Sequence, residues 1–199
     1  SCTYLVLINL EGIDGCGKST QSKFLMEKFE SGNEKIILLK EPTNGKYGQM
    51  LWNMLSGKIE ATTEEILELF VLDRKEHVNK KIKPALDEGK IVLMDRYYYS
   101  TMAYQAAAGI DVSRIRKDNE FAPKPDIVLV FDLPADLAMK RVRSHSVADV
   151  FEKEEHLEKV RKAYLNLEDD SLVRIIDATR TPEEIFDEVW KLVSEVRNG

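Results

Sequence analysis

Cysteine is scarce in this sequence: Cys2 and Cys16 are its only two. That is too few for a disulfide framework and points to a reducing compartment. Glycine and proline are sparse as well, at 10 and 6 of 199 residues, which excludes collagen-like and low-complexity chains. There is no excess of positive charge, since 29 Lys and Arg face 35 Asp and Glu for a net charge of −6. A chain-wide basic surface for nucleic acid or an anionic membrane is therefore not expected. A local basic pocket for a small phosphate ligand remains open. No apolar run approaches the roughly 20 residues of a transmembrane helix. The N-terminus shows no basic segment leading into an apolar stretch and a small-residue cleavage site, so no signal peptide is expected. These absences lead to the expectation of a cytoplasmic protein. What is present is a globular composition, 43% apolar and 32% charged. Its length suits one domain over residues 1–199, with a core that needs no staples.

No repeat or linker-like stretch divides the chain. Short apolar runs at residues 4–10, 35–39, 91–94, 126–131 and 173–176 read as strands. Helical patterns cover residues 18–29, 49–55, 63–88, 98–108, 135–142, 151–167 and 182–196. Thr63 is placed to cap the long third helix, with Glu64 and Glu65 in its first turn and Gly89 at its end. Five strands alternating with helices predict a three-layer α/β fold: a five-stranded parallel sheet flanked by helices. Crossovers should be right-handed. Ligands of such sheets bind beyond the carboxyl ends of the strands, so the residues just after each strand are the ones to inspect.

After the first strand, Gly12 to Ser19 matches G-x-x-x-x-G-K-[ST] before a helix, the phosphate-loop context. Such a loop turns backbone N–H groups inward around phosphate oxygens, and the helix adds its positive N-terminal end. Candidate ATP-binding residues are Gly12, Asp14, Gly15, Cys16, Gly17, Lys18, Ser19 and Thr20. Lys18 suits the β- and γ-phosphates, and the Ser19 hydroxyl suits Mg²⁺. Cys16 reads as a small filler, the alternative being a thiol activated by the helix terminus. The base-reading N-K-x-D of GTPases is absent, and the chain is short for a remodelling ATPase.

Further segments follow the other strands: Lys40-Glu41-Pro42-Thr43, then Leu69-Phe70-Val71-Leu72-Asp73-Arg74, then Asp95-Arg96-Tyr97 with Ser100, Ala103-Tyr104-Gln105, and Pro125-Asp126 leading to Phe131-Asp132. With EGIDGCGKSTQ, and in this order from residue 10 to residue 167, they resemble the thymidylate kinase (dTMP kinase) family. Its pattern is E-G-x-D/E-G-x-G-K-[ST]-T-Q, an R-E-P-like segment, L-F-x-x-D/N-R, D-R-Y, A-Y-Q and a P-D strand before a mobile lid. The resemblance implies a P-loop NTPase fold with a short mobile lid near residues 142–151. It also implies ATP and dTMP as substrates, Mg²⁺ with the ATP, and a homodimer packing through helices.

The resemblance implies residue roles too. Phe70 stacks on thymine and Arg74, on the same helix face, donates to its O4 carbonyl; by itself Phe70 also reads as core beside Ile66 and Leu69. Arg96 clamps the monophosphate, the alternative being an ion pair with Asp95 or Glu41. Asp95 helps hold Mg²⁺ through water. Asp14 meets the sugar 3′-hydroxyl or Mg²⁺-bound water. Ser100 and Thr101 face the thymine edge, Tyr104 fills the space of a ribose 2′-hydroxyl, and Glu41, Gln105 and Tyr164 complete the dTMP pocket.

The pattern departs from the family at three points. Gly15 occupies the loop position where some relatives carry an arginine, and Val150 stands where the bacterial lid carries another. Arg141 and Arg143 are the remaining basic candidates, the first for ATP and the second for the transferring phosphoryl. Lys40 replaces the first arginine of R-E-P. Two rivals share these residues: another P-loop kinase of the same fold, for deoxynucleosides with Glu41 as base or for other monophosphates, and a non-catalytic nucleotide-binding homologue.

Overall fold

The computed structural model describes residues 5–142 and 147–199, with backbone alone for residues 147–152. Its strands are β1 (Leu7–Glu11), β2 (Ile36–Lys40), β3 (Ile91–Asp95), β4 (Ile127–Asp132) and β5 (Val173–Asp177). All pair in parallel, in the order β2-β3-β1-β4-β5. This is the α/β architecture expected from the sequence. β1 is buried at every position and β4 at all but its last, as strands covered on both faces must be. The edge strand β2 is less covered and leaves Leu38 exposed.

The strands extend one residue further toward the carboxyl edge than their apolar runs suggested. Glu11, Lys40, Asp95, Asp132 and Asp177 all take part in the ladder. A hydropathy pattern stops at the first charge, whereas backbone pairing continues until the side chains emerge at the sheet edge. At the other end, Asp126 Oδ2 accepts from the Val6 and Leu7 amides at 2.8 Å each and closes the start of β1.

The helices are α1 (Lys18–Ser31), α2 (Lys46–Leu55), α3 (Thr63–His77), α4 (Lys83–Asp87), α5 (Tyr98–Ala107), α6 (Val112–Asp118), α7 (Ala135–Met139), α8 (Val147–Leu165) and α9 (Pro182–Asn198). The single helix expected over residues 63–88 is interrupted. A π-helical turn spans Val78–Ile82 before α4. Pro84 has no N–H for the Lys80 carbonyl and its ring crowds that group, so the backbone widens just ahead of it. The cap is Thr62 rather than Thr63: its Oγ1 accepts from the Glu65 amide and Glu65 Oε1 accepts from the Thr62 amide, both at 3.1 Å. Helix α6 was not anticipated; Asp111 caps it by accepting from the Ser113 amide. Helices α1 and α9 lock through edge-on Phe29–Trp190 and Phe24–Phe186 pairs. Among the described residues no helix is long and apolar enough to cross a membrane.

Candidate active site

The central strand β1 delivers the chain to a loop whose glycines are conformationally required. Gly12 and Gly15 sit at φ 138° and 85°. A Cβ on Gly12 would lie 2.7 Å from Cys16 Sγ and 2.8 Å from the Phe131 carbonyl oxygen, and one on Gly15 would lie 2.6 Å from the Ala138 carbonyl oxygen. Cys16 is buried beneath the loop. Lys18 folds back over it, with Nζ donating to the Gly12 carbonyl at 3.3 Å and lying 3.7 Å from Cys16 Sγ. Ser19 and Thr20 are exposed on the first turn of α1. That turn has no acidic residue and no side-chain cap, so its amides keep their donors for a ligand. Arg141 Nη1 donates to the Gly15 carbonyl at 3.1 Å and lies over the same loop. Asp95, at the end of the neighbouring β3, has a buried Oδ1 with no partner among the described residues. Arg143 lies outside the described residues, as does 143–146 of the expected lid; residues 147–151 begin α8.

Arg96 follows β3 directly and adopts the left-handed conformation, φ 67°, a cost of about 1–3 kcal/mol for a non-glycine residue. Its Nη2 donates to Asp14 Oδ1 at 2.8 Å, and its Nη1 donates to Ser100 Oγ at 3.1 Å and the Tyr164 hydroxyl at 3.3 Å. The guanidinium lies 5.4 Å from the ring centre of Tyr104, which meets Tyr164 edge-on. Partial desolvation would raise the Asp14 carboxyl, but Arg96 and then Lys18 outweigh it and hold the group below its usual range. Burial pushes the Tyr104 phenol up to about 12, so it stays neutral.

A second buried arginine organises the floor of the site. Arg74 Nε donates to Glu41 Oε1 at 2.8 Å, Nη1 to Asn119 Oδ1 at 2.5 Å, and Nη2 to Thr101 Oγ1 at 3.2 Å. His77 Nδ1 takes the other oxygen of Glu41 at 2.8 Å. Burial would raise the Glu41 carboxyl, yet Arg74 and His77 together lower it. Breaking a pair this deep costs about 3–5 kcal/mol, so Arg74 does not leave Glu41 to meet a ligand. Three of its five N–H groups are engaged among the described residues, and two remain. Glu41 is bonded to Arg74 through one oxygen and to His77 through the other, and its lowered carboxyl makes it a weaker base for a hydroxyl acceptor, the chemistry a deoxynucleoside kinase needs. Phe70, one turn before Arg74, is half-buried and does not join the main apolar core. Gln105 is buried on α5. A separate cleft of about 810 Å³, lined by Ala106, Arg116, Lys162 and Asp170 among others, includes none of these groups. Its Arg116 and Asp170 are already paired.

Comparison with known proteins adds an independent observation. The family model described as thymidylate kinase matches residues 10–189. The chain belongs to the thymidylate kinase family. It is similar to a probable thymidylate kinase of Archaeoglobus fulgidus, 41% identical over 194 residues that cover 97% of each chain. It is also similar to a probable thymidylate kinase of Thermococcus kodakarensis, 42% identical over 94% of this chain and 97% of the relative. The thymidylate kinase of Desulfotalea psychrophila is 47% identical over 81% of each chain.

Within this thymidylate kinase fold, most of the sequence-derived residues fall into three groups: the phosphate loop with Arg141, the Arg96 cluster with Asp14, Ser100, Tyr104 and Tyr164, and the Arg74 cluster with Glu41 and Thr101. The side chains of Phe70, Asp95 and Gln105 bond to none of them among the described residues. Sequence reasoning assigned nothing to Glu11, His77 and Asn119. Glu11 was legible as a charge ending a buried, mostly apolar strand, a position that demands partners. His77 was legible as the residue three after Arg74, on the same helix face. Asn119 follows the unanticipated α6, and nothing in the local pattern marks it.

Proposed function

We propose that this chain transfers the γ-phosphoryl group of ATP to dTMP, giving ADP and dTDP, as one kinase domain over residues 1–199 with a lid near residues 142–151. The observation that carries this reading is the placement of two cationic centres on adjacent strands. Lys18 lies in the phosphate loop after β1 and Arg96 lies directly after β3, while β1 and β3 pair side by side. One centre suits the donor phosphates and the other the acceptor phosphate.

In this reading the loop amides of Gly12–Thr20, with Lys18, hold the β- and γ-phosphates, and Arg141 lies against the ATP. Arg96 presents its fork to the acceptor phosphate, a geometry that arginine offers and lysine does not. Asp14 serves the sugar hydroxyl and restrains Arg96. Phe70 is the platform for thymine, and the two free N–H groups of Arg74 meet its O4 carbonyl. Ser100, Thr101, Tyr104, Gln105, Glu41 and Tyr164 shape and support the pocket. Arg143 is assigned to the charge on the transferring phosphoryl. Ser19, exposed on the first turn, and the unpartnered buried Oδ1 of Asp95 fit a hydrated Mg²⁺ beside the phosphates. That ion supplies neutralisation of phosphate charge.

The cheapest test is an ADP-release assay with dTMP, dUMP, dCMP and thymidine as acceptors. dTMP is expected to be the best. Loss of the methyl in dUMP should lower kcat/KM by about 10–200-fold, and dCMP should fare worse because its amino donor faces the donors of Arg74. Equal kcat/KM for dTMP and dCMP rejects the thymine pocket, and faster turnover of thymidine than of dTMP rejects the monophosphate acceptor.

A homodimer and a cytoplasmic location complete the proposal. The apolar side chains Met50, Trp52 and Leu55 on α2, with Ile59 just beyond it, are each 44–48% exposed, the kind of surface a helix-packed dimer covers. Sedimentation equilibrium at micromolar concentration should give twice the chain mass; a monomer mass rejects the dimer.

A further inference from the structure

Glu11 is fully buried at the end of β1 and touches neither solvent nor the phosphate loop's interior lysine. Its Oε1 accepts from the Tyr97 amide at 2.8 Å and from Asn9 Nδ2 at 3.1 Å. Its Oε2 accepts from the Tyr164 hydroxyl at 2.8 Å and from Ser100 Oγ. Four donors thus converge on one carboxyl group, and three of them, the Tyr97 amide and the Ser100 and Tyr164 hydroxyls, belong to the neighbour of Arg96 or bond its guanidinium. We infer that Glu11 is a positioning residue for the acceptor clamp, fixing both the left-handed backbone and the guanidinium of Arg96. The inference rests on the proposed role of Arg96 in holding the dTMP phosphate.

The backbone half follows from where the amides go. The Arg96 amide donates to the Leu10 carbonyl at 3.0 Å. The next amide, of Tyr97, donates to the Glu11 side chain. The strained residue is therefore pinned on both sides by consecutive residues of β1. A carboxylate oxygen beyond Arg96 takes up an amide that a left-handed turn would otherwise leave buried and unpaired.

The side-chain half follows from proton counting. A hydroxyl has one proton to give and lone pairs to receive. Ser100 and Tyr164 both give their proton to Glu11, so each can only accept from Arg96 Nη1. The carboxylate therefore sets the direction of the whole chain, and the guanidinium is aimed between these two hydroxyls and Asp14. Burial pushes the Tyr164 phenol far above its usual range, which keeps it a donor. Burial also pushes the Glu11 carboxyl up, with Arg96 foremost among the groups that oppose it. An amide at position 11 would turn an N–H₂ toward one pair of donors and break the order.

The test compares equilibrium binding of dTMP and of thymidine, which lacks the phosphate, in the wild type, Glu11→Gln and Arg96→Lys. The ratio of the two affinities isolates the clamp from the thymine pocket. Misplacing a positioned group by about an ångström costs up to about 100-fold, so Glu11→Gln should lower the dTMP-to-thymidine ratio by at least about tenfold while ATP affinity holds. A ratio within about twofold of wild type overturns the inference, as does an equal loss of ATP and thymidine binding, which would mark a merely structural role. If Arg96→Lys also leaves the ratio intact, the clamp itself fails, and that result is distinct from failure of Glu11 alone. Should Glu11→Gln not fold, the double variant Ser100→Ala, Tyr164→Phe decides. It removes the two hydroxyl bridges and keeps the Tyr97 bond, and an unchanged ratio there overturns the side-chain half of the inference.

Discussion

Lys18→Ala should lower kcat by at least about 100-fold, because one preorganised charge aimed at developing negative charge is worth about 3–4 kcal/mol. The side chain is held for that purpose. Among the described residues its Nζ has one carbonyl partner, Gly12, at 3.3 Å and a weak sulfur neighbour, and it makes no ion-pair contact with a carboxylate, Asp14 acting on it only at longer range. Phosphate oxygens entering the loop offer it the anionic partner that the protein does not. Losing so few native bonds should cost the fold little, and a melting temperature recorded beside the steady-state kcat keeps the two effects apart. Near-normal turnover by a folded Lys18→Ala would remove the phosphate loop from the mechanism.

Arg96→Ala should lower kcat/KM for dTMP by about 30-fold to several thousand-fold, the range set by about 2–5 kcal/mol for truncating one partner of a buried charged hydrogen bond. The loss should fall on dTMP and spare the KM for ATP, since no bond of Arg96 reaches the residues of the phosphate loop other than Asp14. The backbone complicates alanine, which carries a Cβ at φ 67°. Arg96→Gly removes the side chain without that cost, and the two variants should share their kinetic defect while the glycine form melts higher. A dTMP kcat/KM within about twofold of wild type in the glycine form would show that the acceptor phosphate is held elsewhere.

Much of this architecture was legible in the sequence because parallel strands covered on both faces, as β1 and β4 are, are written as nearly continuous apolar runs. The phosphate loop was legible because its spacing is dictated by backbone geometry around a ligand, which tolerates few residue types. Less legible were features set by distant partners. Ser100 and Tyr164 are 64 residues apart and meet at 3.1 Å over a glutamate from β1, a convergence that no local period encodes. The interruption of the third helix depended on Pro84, which was present in the pattern but outweighed by the helical spacing around it. The cap moved by one residue because Thr62 and Thr63 are chemically alike and only the reach to Glu65 distinguishes them.

Gly15 also constrains how this enzyme can change. The place where some relatives carry a loop arginine is filled here by the Ala138 carbonyl oxygen, 2.6 Å from where any Cβ would stand. A side chain at position 15 and α7 at its present distance exclude each other. Moving α7 away to admit one would also draw Arg141, two residues beyond that helix, off the Gly15 carbonyl. No single substitution therefore converts this arrangement into the other.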